Sequence, residues 1–202
     1  MTATVFAWIA VGLIVPVSAA LLVIRDWRWM LGLLATLYLA AFILVAQHWP
    51  LGMAVVKLVS GWMVVAALGM SRLGLPLPEE ELEVPILLEG SAFRLFGASI
   101  SVLIAVSVGP QIESLIPGIG LPITIGSLVL IGTGLLQLGM TSNVLRVTLG
   151  LLTELSGFEI LYAAVESSIL VAALLAVANL GLALVGSYLL IHSVQVEEEQ
   201  QL

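Results

Sequence analysis

The chain has 202 residues; 61% are hydrophobic and 9% are charged, against roughly 25% charged in a soluble domain. That composition excludes a water-soluble globular enzyme and a disordered chain, and the 6 Lys and Arg form no basic patch for nucleic acid. The absence of cysteine excludes a disulfide framework, a thiolate nucleophile, iron–sulfur ligation and Cys-based zinc. What remains is an all-α integral membrane protein with several spans.

Seven apolar segments follow in chain order, each near the ~20 residues needed to cross a hydrocarbon core. The first runs from Val5 to Ile24. It lacks a basic leading region and is long for a signal segment, so it reads as a retained helix, ended by Arg25-Asp26-Trp27-Arg28. The second spans Trp29–Ala46 and stops at His48-Trp49-Pro50; the third spans Leu51–Met70 with Lys57 inside it. Residues 1–72 thus form an N-terminal three-helix part. An acidic, Pro-punctuated loop at 73–90 follows, holding five acids between Glu79 and Glu89. The fourth helix is read as Ser91–Val108, and Gly109-Pro110 opens a turn-rich external loop to residue 122. The last three helices are Ile123–Met140, Asn143–Val165 and Ser167–Ile191, a unit at 123–191, with an acidic tail at 192–202.

Orientation follows from basic residues. With seven spans, Arg25, Arg28, Arg72, Arg94 and Arg146 all fall on one side and no Lys or Arg falls on the other. The positive-inside rule then places the N-terminus outside and the C-terminus in the cytoplasm. Arg146 is expected to set topology and His48 to lie at the outer interface. Trp8, Trp27, Trp29 and Trp49 read as an aromatic belt, and Trp62 as a packing residue inside the third helix. On the last helix Ala172, Ala176, Asn179, Ala183 and Gly186 share one face by their spacing, which reads as internal packing or as a face for another subunit.

The chemistry lies in charged residues within the spans, which are costly in lipid and therefore need a partner or a path. Lys57 lies 15 residues from Arg72, roughly 22 Å at the helical rise, and Glu159 lies 13 from Arg146, roughly 20 Å. Similar depth makes a buried ion pair or a proton-carrying pair available to them if the helices are adjacent. Glu154 is nearer the arginine side and points about 140° away from Glu159 around the helix. Glu166 and Tyr162 share a face with Glu159 and offer a relay leading outward. Proton or ion pathway residues are therefore Lys57, Glu159 and Glu154, with Tyr162 and Glu166 as the outward relay; a static helix clasp is the alternative. His48 and His192 are too far apart in sequence to suggest a metal, and no phosphate loop or catalytic triad pattern is present.

A family resemblance accompanies these residues. The stretch Asn143-Val144-Leu145-Arg146-Val147-Thr148-Leu149-Gly150-Leu151-Leu152-Thr153-Glu154-Leu155-Ser156-Gly157 resembles the second helix of the small three-helix subunit of complex I, the chain 4L or K type. Its Leu-Arg-Val run is also similar to the C subunit of Mrp-type sodium/proton antiporters, and Ala-Val-Ala-Asn-Leu-Gly-Leu-Ala-Leu at 176–184 resembles that family's third helix. Over about 50–201 the chain resembles the membrane component E of hydrogenase-4 and formate hydrogenlyase-type complexes, which places helices before a K-like end. Met53-Ala54-Val55-Val56-Lys57 and the Leu77-Pro78-Glu79 loop are similar to its third helix and following loop. Aligned on Asn143 and Gly150, however, the membrane glutamate of the family falls at Leu152 and that of the third helix at Val177, so the family's glutamate pair is not kept.

The resemblance implies a membrane-arm subunit of a complex I-related, proton- or ion-translocating hydrogenase or dehydrogenase complex in a prokaryotic cytoplasmic membrane. It implies antiporter-like large subunits beside the chain, with no cofactor, metal or redox centre in the chain itself, which would be a non-catalytic subunit. With the glutamate pair displaced, two expectations stay open: Lys57, Glu154 and Glu159 replace it, or the subunit is mainly structural. The alternatives are a subunit of an Mrp-type antiporter and a structural membrane scaffold.

Overall fold

The computed structural model describes residues 2–75, 90–116 and 118–200. All regular structure among them is helical: α1 (Thr2–Val23), α2 (Trp27–Val45), α3 (Leu51–Leu73), α4 (Ser91–Leu115), α5 (Leu121–Gly139), α6 (Val144–Val165) and α7 (Ile169–Gln200). Six of these are long and apolar enough to cross a membrane; α6, which carries Arg146, Glu154 and Glu159, is the one left out. The acids from Glu79 to Glu89 lie outside the described residues.

The caps explain where several helices begin. Asp26 is the N-cap of α2, its side chain accepting from the Arg28 backbone N–H at 2.9 Å. Asn143 does the same for α6, accepting from the Arg146 N–H at 3.3 Å. Each satisfies an amide that the first helical turn leaves without a partner.

Two boundaries differ from the sequence reading. The turn-rich loop expected from Gly109 is helix: α4 continues through Pro110 to Leu115, and the turn is confined to the residues around Gly118 and Gly120, both at positive φ. Turn signals lose force in apolar surroundings, where leaving the helix exposes backbone groups with no water to receive them. Gly109 is buried and lets α4 approach Ile125 and Leu121 of α5. The acidic tail is likewise not separate, because α7 runs on to Gln200 through Glu197–Glu199.

At the centre α5 packs on α6, α4 and α1, while α2 bridges α1, α3 and α6. α7 packs on α3 and α6. The closest pairing is α5 with α6, and glycines make it possible. A Cβ on Gly134 would stand 2.7 Å from the Glu154 backbone nitrogen, and one on Gly157 would stand 2.7 Å from the Ser127 carbonyl oxygen. Small residues at such contacts let helix backbones meet where lipid supplies no hydrophobic drive for association. The stripe on α7 plays the same part: Asn179, Ala183 and Gly186 are buried, with Gly186 against Thr148 of α6. The stripe therefore faces this chain's own helices. By contrast α4 and α7 expose long rows of large apolar side chains, among them Phe96, Leu103, Leu170 and Val177.

Candidate functional site

Four helices bring polar side chains to one point inside the bundle. Lys57 of α3 and Glu159 of α6 are 6% and 2% exposed, and the Lys57 ammonium pairs directly with Glu159 Oε2. The other carboxylate oxygen, Oε1, accepts from Asn179 Nδ2 of α7 at 2.5 Å. Asn179 Nδ2 also donates to the Leu175 carbonyl at 3.2 Å, and Asn179 Oδ1 accepts from the Tyr38 hydroxyl of α2 at 3.3 Å. The Tyr38 ring in turn faces the Lys57 ammonium, 4.9 Å from its centroid. The result is a closed set: cation, carboxylate, amide, phenol and back to the cation through the π face.

Each member is held by its own helix. Tyr38 is fully buried and its ring lies against Gly61, where a Cβ would overlap it. Ser60 donates to the Lys57 carbonyl at 3.1 Å, and Ser156, one turn before Glu159, donates to the Leu152 carbonyl at 2.8 Å. Lys57 stands six residues past Leu51, and Glu159 six before Val165, so both lie roughly 9 Å inside their helix ends. Those ends share the side of the bundle opposite the arginines.

A small cavity of about 10 Å³ adjoins the pair, room for about one water. Lys57, Ser60 and Glu159 form its polar wall; Trp49, Met53, Ala172 and Ala176 are among its apolar lining. Trp49, expected at the membrane interface, stands in the α2–α3 connection at the helix ends, where it is buried and its indole N–H donates to the Glu166 carbonyl at 2.8 Å. The C-terminal end of α6 thus supplies the acceptor that a buried indole N–H needs.

The other sequence candidates separate from this point. Glu154 is half-buried on the face of α6 turned to Gly134 of α5, and it does not line the cavity. Tyr162 stacks with the exposed Phe158 at 6.3 Å between centroids. Glu166 is exposed and its carboxylate accepts from the Ser167 N–H. Among the described residues the Glu166 backbone N–H donates to the Tyr162 carbonyl at 2.9 Å, but no side-chain hydrogen bond joins Tyr162 to Glu159 or Glu166, so the expected relay is not assembled. Trp62, expected in the packing, is 51% exposed on the outer side of α3, with its N–H donated to the Ala35 carbonyl at 3.3 Å. His48, half-buried, has its Nε2 3.1 Å from the Gly118 carbonyl.

The arginines do more than carry charge. Arg94 is buried and donates to the Leu22 carbonyl at 3.0 Å. Arg146 donates to the same oxygen at 3.4 Å and to the Ile24 carbonyl at 2.8 Å. Both thus satisfy carbonyls at the C-terminal end of α1, where the helix dipole favours a cation.

Sequence reasoning missed Tyr38, which sits in an unbroken apolar run with no signal of its own. It gave Asn179 only a place on a small-residue face, packed within this chain or against another subunit, although a carboxamide inside an apolar span is itself a sign of a buried partner. Among the described residues no cluster of His, Asp and Glu is arranged to hold a metal ion. No protein-family model, curated protein or solved structure matches this chain.

Proposed function

We propose that this protein is a membrane-arm subunit of a proton-translocating complex related to complex I and to hydrogenase-4-type enzymes, with Lys57 and Glu159 on its proton path. In this reading all seven helices cross the bilayer. α6 crosses with its charges shielded by α2, α5 and α7. The N-terminus is outside, and the arginine side and the end of α7 are cytoplasmic.

One observation carries the proposal: the Lys57–Glu159 pair, with Asn179 and Tyr38, buried where each charge alone would cost ~2.5–3.5 kcal/mol on insertion scales. Stability does not require such a pair, since apolar residues of similar volume serve as well or better in many buried sites. A function that needs titratable groups in the membrane does require it. The second support is the resemblance of 143–157 and 176–184 to the K-type and antiporter C subunits. The extensive apolar faces of α4 and α7 suit large membrane partners as well as lipid.

Purification of the complete chain from its own membranes in mild detergent, with identification of the bound subunits, tests the assignment. Antiporter-like large subunits together with hydrogenase or dehydrogenase subunits are expected. Recovery of the chain alone, or with antiporter subunits only, would overturn it.

A further inference from the structure

The cavity beside Lys57 and Glu159 lies between α3 and α7, and its lining is uneven. One wall offers the ammonium, the carboxylate and the Ser60 side chain; the rest is apolar. A buried water needs two or more polar partners, and this wall supplies them. Ala172 and Ala176 on α7 contribute only small side chains to that apolar lining. Toward the helix ends the gap meets the Trp49 indole, which belongs to the short α2–α3 connection rather than to a helix.

Besides the backbone hydrogen bonds from Gln47, His48 and Trp49 back to the end of α2, that connection is tied to other elements at two points by single side-chain hydrogen bonds. Trp49 Nε1 donates to the Glu166 carbonyl at the C-terminal end of α6, and His48 Nε2 lies against the Gly118 carbonyl of the α4–α5 turn. Trp49 is 6% exposed although it stands in a loop. A large flat side chain, buried, latched by one neutral hydrogen bond and standing between a buried ion pair and the helix ends, has the form of a lid.

We infer that the cavity is a one-water access site for the Lys57–Glu159 pair, reached from the side opposite the arginines and closed by the Trp49 indole. Its occupant is water or hydronium. Hydronium arriving there gives its proton to the Glu159 carboxylate and remains as water. This extends the proton-path reading above, but the lid itself is tested by access alone.

The chain has no cysteine, so Ser60→Cys places a single thiol on the cavity wall. Silver ion, close in size to a water molecule, is then the probe, applied to membranes containing the full chain and its partners, with subsequent labelling of unreacted thiol as the readout. With Trp49 intact, Ser60→Cys reacts slowly. Trp49→Phe keeps the ring but removes the N–H, and the loss of one neutral hydrogen bond raises the rate roughly fivefold. Trp49→Ala raises it further, and adding Ala176→Leu, which fills the gap, returns it to the slow rate. Trp49→Phe retains most of the packing and decides the matter if Trp49→Ala does not fold. A rate unchanged by Trp49→Phe, or one that Ala176→Leu fails to reduce, would overturn the lid. That result leaves proton translocation by Lys57 and Glu159 a separate question, because the double substitution Lys57→Met/Glu159→Gln measures it without any change at Trp49.

Discussion

Removing one partner of the Lys57–Glu159 pair should be far more damaging than removing both. In Lys57→Met the Glu159 carboxylate, 2% exposed, keeps only its contact with Asn179. Breaking a buried pair in this way costs about 3–5 kcal/mol, because a charge is left without compensation. In Glu159→Gln the ammonium keeps a neutral carboxamide oxygen and the Tyr38 face, 4.9 Å away, but loses its counter-charge, and a loss toward the lower end of that range is expected. The double variant Lys57→Met/Glu159→Gln has no charge to strand, and its carboxamide oxygen still accepts from Asn179. It should unfold within about 1 kcal/mol of the parent. A double-mutant cycle would then give a coupling of about 5 kcal/mol or more. Reversible unfolding in mixed micelles, followed by tryptophan fluorescence, measures all four proteins. If the double variant loses the sum of the two single losses, or if either single variant is within about 1 kcal/mol of the parent, the pair is not coupled as described.

Other outcomes follow from single contacts, each checked by unfolding in the same micelles. Gly134→Ala drives a methyl into the Glu154 backbone, which cannot move aside, and should cost about 1–3 kcal/mol; Gly12→Ala, with nothing within 4 Å, should be neutral or better. Tyr38→Phe removes one neutral hydrogen bond to Asn179 and should cost about 1 kcal/mol, whereas Asn179→Leu strips a donor from the buried carboxylate and should cost about 2–3 kcal/mol. Arg146→Ala frees the Ile24 carbonyl and loses a cation at the end of α1; it should cost about 1–2 kcal/mol and raise amide exchange there, read by hydrogen exchange.

Much of this molecule is legible in its sequence because lipid imposes a simple rule. Apolar runs of membrane length have to be helices, and the termini of α1, α2, α3, α5 and α6 fall within a turn of where the runs end. The fixed helical rise alone assigns Lys57 and Glu159 the same depth, and the folded chain brings them together. Gly109-Pro110 misleads for a physical reason: the dipeptide marks turns in water, but here Gly109 serves close packing against Ile125. Tyr38 and Trp49 are not legible, since their roles depend on which helices become neighbours. Trp62 departs from its expected packing place for the same reason, as hydropathy does not say which face of a run turns inward. In the sequence Asn179 is only a polar member of a small-residue stripe, and its carboxamide becomes meaningful once α7 lies against α3 and α6.

The double variant Lys57→Met/Glu159→Gln also gives the most direct test of the central claim, because it removes both titratable groups without leaving a charge stranded. In the proposed complex, measured for proton translocation in sealed vesicles, the reading expects it to retain subunit composition and electron transfer while proton movement is lost or severely reduced. Translocation at the parent rate in a normally assembled complex would show that the pair only holds helices together, and would contradict the account.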